Sequence, residues 1–118
     1  MVISIEIEFY KTEDGKSPAE EFIDSQNSKM RNKIYRAMNM LEDFGTSLRM
    51  PHSEYLGDNI FQLRVQTEGE KARVLYFFLV GKKAVLTNGF IKKTPRTPSN
   101  VLELAQKYRT DYLDRNGG

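Results

Sequence analysis

Arg64, Arg73 and Lys92 are the residues of this chain best suited to chemistry on a phosphate. A guanidinium presents a fixed fork of donors that grips two phosphate oxygens at once, whereas an ammonium is a compact charge that can give up its proton once its pKa is lowered. RNA carries its own nucleophile, the 2′-hydroxyl. Cleaving it asks of a protein a base near that hydroxyl, cations for the charge developing on the phosphate, and an acid for the departing 5′-oxygen. Arg64 and Arg73 suit the second task. Crowding by both would lower the pKa of Lys92 from its usual value of about 10.4, so Lys92 suits the first or the third. The competing reading pairs the two arginines with nearby carboxylates, such as Glu68 and Glu70, but acidic residues are scarce in this stretch.

His52 is the only histidine and the conventional first choice as acid or base, because its unperturbed pKa lies near neutrality. It stands in a segment with neither helical nor strand period, where a surface histidine is the common outcome. Lys82, Lys83, Lys93 and Arg96 complete the set of candidate phosphate contacts. Lys93 should point away from Lys92, and for it a solvated surface role competes evenly with an RNA contact. Tyr76 alternates to the face opposite Arg73, where core packing with a satisfied hydroxyl is expected. Glu6 and Glu8 share a strand face without a third ligand at metal spacing, so no metal site is expected. No glycine-rich phosphate loop or Ser/His/Asp set is present, and no cofactor is expected.

The charge distribution sharpens this reading. Residues 60–96 hold eight cations against two carboxylates, while the first 26 residues hold seven carboxylates against two lysines, so the total of +2 conceals an acidic end and a basic centre. A polyanion is the natural partner of such a centre. A chain of 118 residues is expected to form one domain, residues 1–118, with a core that needs no disulfide. The absence of cysteine excludes thiol chemistry and zinc knuckles and fits a reducing compartment, with the cytoplasm as the default. Neither a leader nor a membrane-spanning run is apparent.

The elements that must position these residues follow from periodicity. Val2, Ser4, Glu6 and Glu8 alternate with Ile3, Ile5, Ile7 and Phe9, which predicts a half-buried first strand with an acidic outer face. Ser17, Pro18 and Glu20 read as a capping box opening a helix that runs to about Gln26. A second helix is expected from Ser28, with Met30, Ile34, Ala37, Met38, Leu41 and Phe44 as its apolar stripe and Gly45 as its stop. Residues 46–58 read as a loop. Strands are expected at 60–67, 72–80 and 83–91, joined by a four-residue turn at 68–71 and a tight turn at Gly81 and Lys82. That register sets Gln66 opposite Arg73, makes Arg64 and Arg73 diagonal neighbours, and sets Arg73 opposite Phe90, so Arg64, Arg73 and Lys92 converge on one face. Thr97 and Pro98 open a last helix with Val101, Leu104, Ala105, Tyr108 and Tyr112 as its stripe.

Residues 17–23 (SPAEEFI), Leu63 with Arg64, residues 72–77 (ARVLYF) and residues 89–94 (GFIKKT), followed by Pro98 and Ala105, resemble the HigB-type, phage-derived-protein branch of the RelE/ParE toxin superfamily. The resemblance spans nearly the whole chain and rests on the order and spacing of four short motifs. It implies an α+β fold: a small antiparallel sheet with two N-terminal helices and a C-terminal helix. It also implies an mRNA endonuclease acting on the ribosome and neutralised by a HigA-like helix-turn-helix antitoxin. Arg64 matches the family's LR arginine, Arg73 its RVLYF arginine, and Lys92 and Lys93 its KK pair. Related toxins place substrate-contacting residues in the loop that holds His52. Two further readings stay open: a ParE-like inhibitor of DNA gyrase, and a non-catalytic RNA-binding or phage-associated protein.

Overall fold

The computed structural model describes residues 4–79 and 82–116. Strands β1 (Glu6–Phe9), β2 (Ser53–Gly57), β3 (Ile60–Gln66), β4 (Lys71–Leu79) and β5 (Lys83–Ile91) form one sheet in the order β1-β5-β4-β3-β2. Helices α1 (Pro18–Asp24) and α2 (Ser28–Phe44) pack on one face through Ala19, Ile23, Met30, Ile34 and Leu41. Helix α3 (Ser99–Arg115) covers part of the other through Ala105 and Tyr112. The α+β architecture expected from the sequence is therefore present. The sheet is antiparallel from β2 to β5, but β1 joins β5 in parallel, with Glu6 opposite Lys83 and Phe9 opposite Leu86. A parallel neighbour needs a long crossover, and everything from α1 to β4 lies between the two strands. The start of the expected first strand, at Val2 and Ile3, lies outside the described residues.

The helix signals place all three helices but not every contact. Ser17 precedes α1, yet its side chain makes no cap bond and its Oγ is buried without a partner, so the expected capping box is not formed. Proline at the first turn suffices to start the helix. Helix α2 is capped by Asn27, whose side chain accepts from Met30 N at 2.9 Å, and stops at Gly45 with φ 54°. Its last stripe residue, Phe44, is 51% exposed rather than buried. In α3, Leu104 likewise faces outward, because the stripe turns with Ala105 and Tyr112.

Residues 46–58 are not simply a loop. A short 3-10 turn (Gly45–Ser47) leads to β2, an edge strand that hides its period because only Ser53 is buried and its register shifts between Tyr55 and Gly57. Asp58 and Asn59 both adopt positive φ, 51° and 68°, as a two-residue hairpin turn requires.

Two register details govern the active face. Between β3 and β4 the pairing is Arg64 with Arg73 and Gln66 with Lys71, two residues tighter than the sequence predicts, because Thr67 N donates to Glu70 O and only Glu68 and Gly69 form the tip. The two arginines are direct cross-strand partners rather than diagonal ones. Between β4 and β5 the ends pair Leu79 with Lys83, which differs from the expected tight turn; of that turn, Gly81 lies outside the described residues. A bulge at Thr87 then adds one residue, so Arg73 still meets Phe90 as expected. The bulge also reverses facing along β5. Ala84 and Leu86 face α1 and α2, but beyond it Gly89 and Ile91 take that face and Phe90 turns to the α3 side. A one-residue insertion has this effect because side chains alternate with period two.

Candidate functional site

Lys71, Arg73 and Leu75 of β4, Gln62 and Arg64 of β3, and Phe90 of β5 share the α3 side of the sheet, and the chain leaves β5 with Lys92 on that side. Helix α3 covers only the end of this face near Asn88, whose side chain donates to Val101 O. The other end carries Arg64, Arg73 and Lys92, of which Arg64 and Lys92 are partly exposed and Arg73 lies buried between them and the sheet.

Arg73 is 3% exposed. One of its guanidinium nitrogens donates to Ala72 O at 3.0 Å, while its Nε is buried with no partner. Arg64 donates to Met50 Sδ at 3.2 Å and, marginally, to Pro51 O at 3.5 Å, and its Nε is also unpartnered. The ion pairs among the described residues are Lys83–Glu8 and Arg115–Asp111, so the turn glutamates do not neutralise either arginine. Like charges directly opposite one another destabilise a sheet, and each buried orphan donor costs about 1–3 kcal/mol. Burial, and then the charge of Arg64, press the pKa of Arg73 down. A guanidinium keeps its proton regardless, so both arginines remain cations with donors to spare.

Lys92 has its pKa lowered by partial desolvation first and then by Arg73, Lys71 and Arg64. The perturbation expected from crowding is present, with Lys71 as an additional contributor. Glu54 acts the other way on both Lys92 and Arg73. Its carboxylate lies beyond ion-pair distance of either and instead accepts from Gln62 Nε2 at 3.0 Å. His52 closes the rim, its carbonyl accepting from Arg64 N at 2.9 Å.

The remaining candidates divide into two groups. Lys93 is exposed and, with Lys71, Lys92, Thr67, Glu68 and Thr94, lines a cleft of about 540 Å³ beside the cluster. Arg96 is exposed on the segment leading to α3. Lys82 and Lys83 lie at the other end of β5, about 26 Å away along the strand at roughly 3.3 Å per residue. Lys83 is engaged there by Glu8 at 3.0 Å, which raises its pKa. Sequence proximity to the basic centre did not translate into spatial proximity, because the strand carries them apart.

Tyr76 is buried on the α2 side with its hydroxyl against Ser53 Oγ, as alternation predicts. Sequence reasoning missed Glu54, Gln62 and Lys71. Lys71 was legible as the residue two before Arg73 on one strand. Glu54 was hidden by reading its segment as loop, and the Asp58-Asn59 turn alone would have set it opposite Leu63; the register shift between Tyr55 and Gly57 brings it opposite Gln62.

Among the described residues no cluster of three His, Asp or Glu side chains is placed to hold a metal ion, and no helix is long and apolar enough to cross a membrane. A small, mostly antiparallel sheet flanked by helices is compatible with a RelE-like fold. The chain belongs to the family described as Phage derived protein Gp49-like (DUF891), which matches residues 21–110 and falls within the RelE-type toxin–antitoxin group. No curated protein matches the chain.

Proposed function

We propose that this protein is a HigB-type toxin that cuts mRNA on the ribosome in the cytoplasm and is held in check by a HigA-like helix-turn-helix antitoxin. The observation that carries this reading is the facing pair Arg64 and Arg73, both with unpartnered donors, beside Lys92 and a carboxylate kept just out of ion-pair range. In this scheme the arginines hold the scissile phosphate and stabilise charge on its oxygens. Glu54 takes the proton of the 2′-hydroxyl as its oxygen attacks phosphorus. The bond from phosphorus to the 5′-oxygen breaks, and Lys92, whose lowered pKa eases proton release, protonates the leaving group. The products are a 2′,3′-cyclic phosphate and a free 5′-hydroxyl. Lys93 in the adjoining cleft, with the exposed Arg96 and His52, would supply further contacts to RNA.

Cations and one carboxylate can bind and activate, but in-line alignment of the 2′-hydroxyl is worth several kcal/mol more, and a decoding site that holds mRNA rigidly supplies it. Purified protein is therefore expected to cleave mRNA on programmed ribosomes, with chelator present, and to leave naked mRNA largely intact. Equal cleavage of both would remove ribosome dependence. Cleavage of neither, with RNA binding retained, would favour a non-catalytic role, and inhibition of gyrase supercoiling instead would move the protein to the ParE type.

A further inference from the structure

Gln62 is 2% exposed, and both ends of its amide are occupied. Its Nε2 donates to Glu54 Oε1 at 3.0 Å, and its Oε1 accepts from the Thr97 hydroxyl at 3.0 Å. A carboxylate only accepts, so the amide nitrogen must face Glu54; the amide oxygen then faces Thr97, which must be the donor. Groups from β3, β2 and the segment entering α3 thus form one directional chain that ends on Glu54. Hydrogen bonds in series polarise one another and hold the terminal acceptor more firmly than one bond alone.

The position of Glu54 gives this chain its significance. Its charge favours the charged forms of both Arg73 and Lys92, so a free carboxylate would be drawn into an ion pair with one of them. That would occupy the donors a phosphate needs. A neutral amide fixes the carboxylate without consuming a cation. We infer that Gln62 and Thr97 are positioning residues, which hold Glu54 ready for the 2′-hydroxyl and keep it off the phosphate clamp. This rests on the endonuclease reading above. The Thr97 end also ties the clamp to the segment that carries Lys93 and Arg96.

The test is single-turnover cleavage on programmed ribosomes. Thr97→Val, which removes the hydroxyl with little change of shape, and Gln62→Leu should lower the rate constant at saturation about 10- to 100-fold, with the half-saturating concentration level or raised as the freed carboxylate competes for the clamp. Thr97→Ser should restore the rate. In a Glu54→Gln background, where the positioned base is already lost, Thr97→Val should cost nothing further. An equal loss from Thr97→Val in both backgrounds, or a rise in the half-saturating concentration alone, would overturn the inference and leave the contact a fastening of α3 to the sheet. If Gln62→Leu melts early, Thr97→Val decides. If the wild type does not cleave, or Glu54→Gln cleaves as well as the wild type, the underlying reading falls, and the inference with it.

Discussion

Arg73 is the residue on which fold and function pull hardest against each other. It faces a like charge across the ladder, is almost wholly buried, and keeps an unpartnered donor. Each of these features costs stability, and each is relieved by an anion. Arg73→Met retains most of the apolar stem and removes the charge. It is expected to slow cleavage about 100- to 1,000-fold and abolish growth arrest, while the melting temperature stays level or rises by up to about 5 °C. A marked fall in melting temperature would show that the arginine holds the fold, and undiminished cleavage would remove it from the site. Sulfate stabilises folded proteins generally, so the specific expectation is that the wild type gains more from sulfate over chloride at equal ionic strength than Arg73→Met does.

At the level of elements, one contact joins two of the short motifs, residues 17–23 and 89–94. A Cβ built on Gly89 would lie 2.3 Å from Phe22 Cδ2, so the glycine of β5 is the seat on which α1 rests its aromatic ring. Gly89→Ala should destabilise the fold by about 1–3 kcal/mol through overpacking. Adding Phe22→Leu should recover much of the loss in a denaturant melt, and absence of recovery would refute the pairing. The opposite end of the sheet is fastened differently. Tyr10 donates to Asp111 at 2.6 Å, and Arg115 lies over its ring and bonds the same carboxylate. Burial first, then the bond to Asp111, raises the Tyr10 pKa to about 12. A tyrosine whose neutral form is favoured by folding stabilises the fold below its unfolded value near 10, and that contribution is lost as pH rises through about 12. Stability should therefore fall between about pH 10 and 12, and Tyr10→Phe should flatten the fall, with the parts due to Tyr76, Tyr108 and Tyr112 remaining. An unchanged profile would mean that Tyr10 is not the group that titrates.

Across the whole molecule, the charges are sorted by position along β5. Strand β1 brings Glu6 and Glu8 beside the half that begins at Lys83, while Lys71, Arg64, Arg73, Lys92 and Lys93 gather at the half that ends at Ile91. The result is a molecule whose cations are paired with carboxylates at one end and left without them at the other, so a nucleic acid would meet the second end first. Binding to ribosomes should weaken steeply with salt. Lys71→Ala and Lys93→Ala should each reduce the slope of log affinity against log salt by about 0.7 to 0.9, the loss of one phosphate contact. Lys83→Ala, which only frees Glu8, should leave the slope alone. A slope reduced by Lys83→Ala as much as by Lys71→Ala would mean that RNA covers both ends.

The sequence by itself determined the three helices, four of the five strands and the choice of candidate clamp residues. Helix starts at Pro18 and Ser28 and the strand runs around ARVLYF and GFIKKT follow from local period, and period is a property of neighbouring residues. The tertiary structure decided what depends on distant pairing. The Glu68-Gly69 tip made the two arginines direct partners, and the Thr87 bulge compensated for a different β4–β5 connection and turned Lys92 to their side. The parallel entry of β1 drew Lys83 to Glu8, and the edge strand β2 carried Glu54 to Gln62. None of these is written in a local pattern: a one-residue change in a turn or bulge alters every side chain beyond it, and only the packing of both faces at once selects the register.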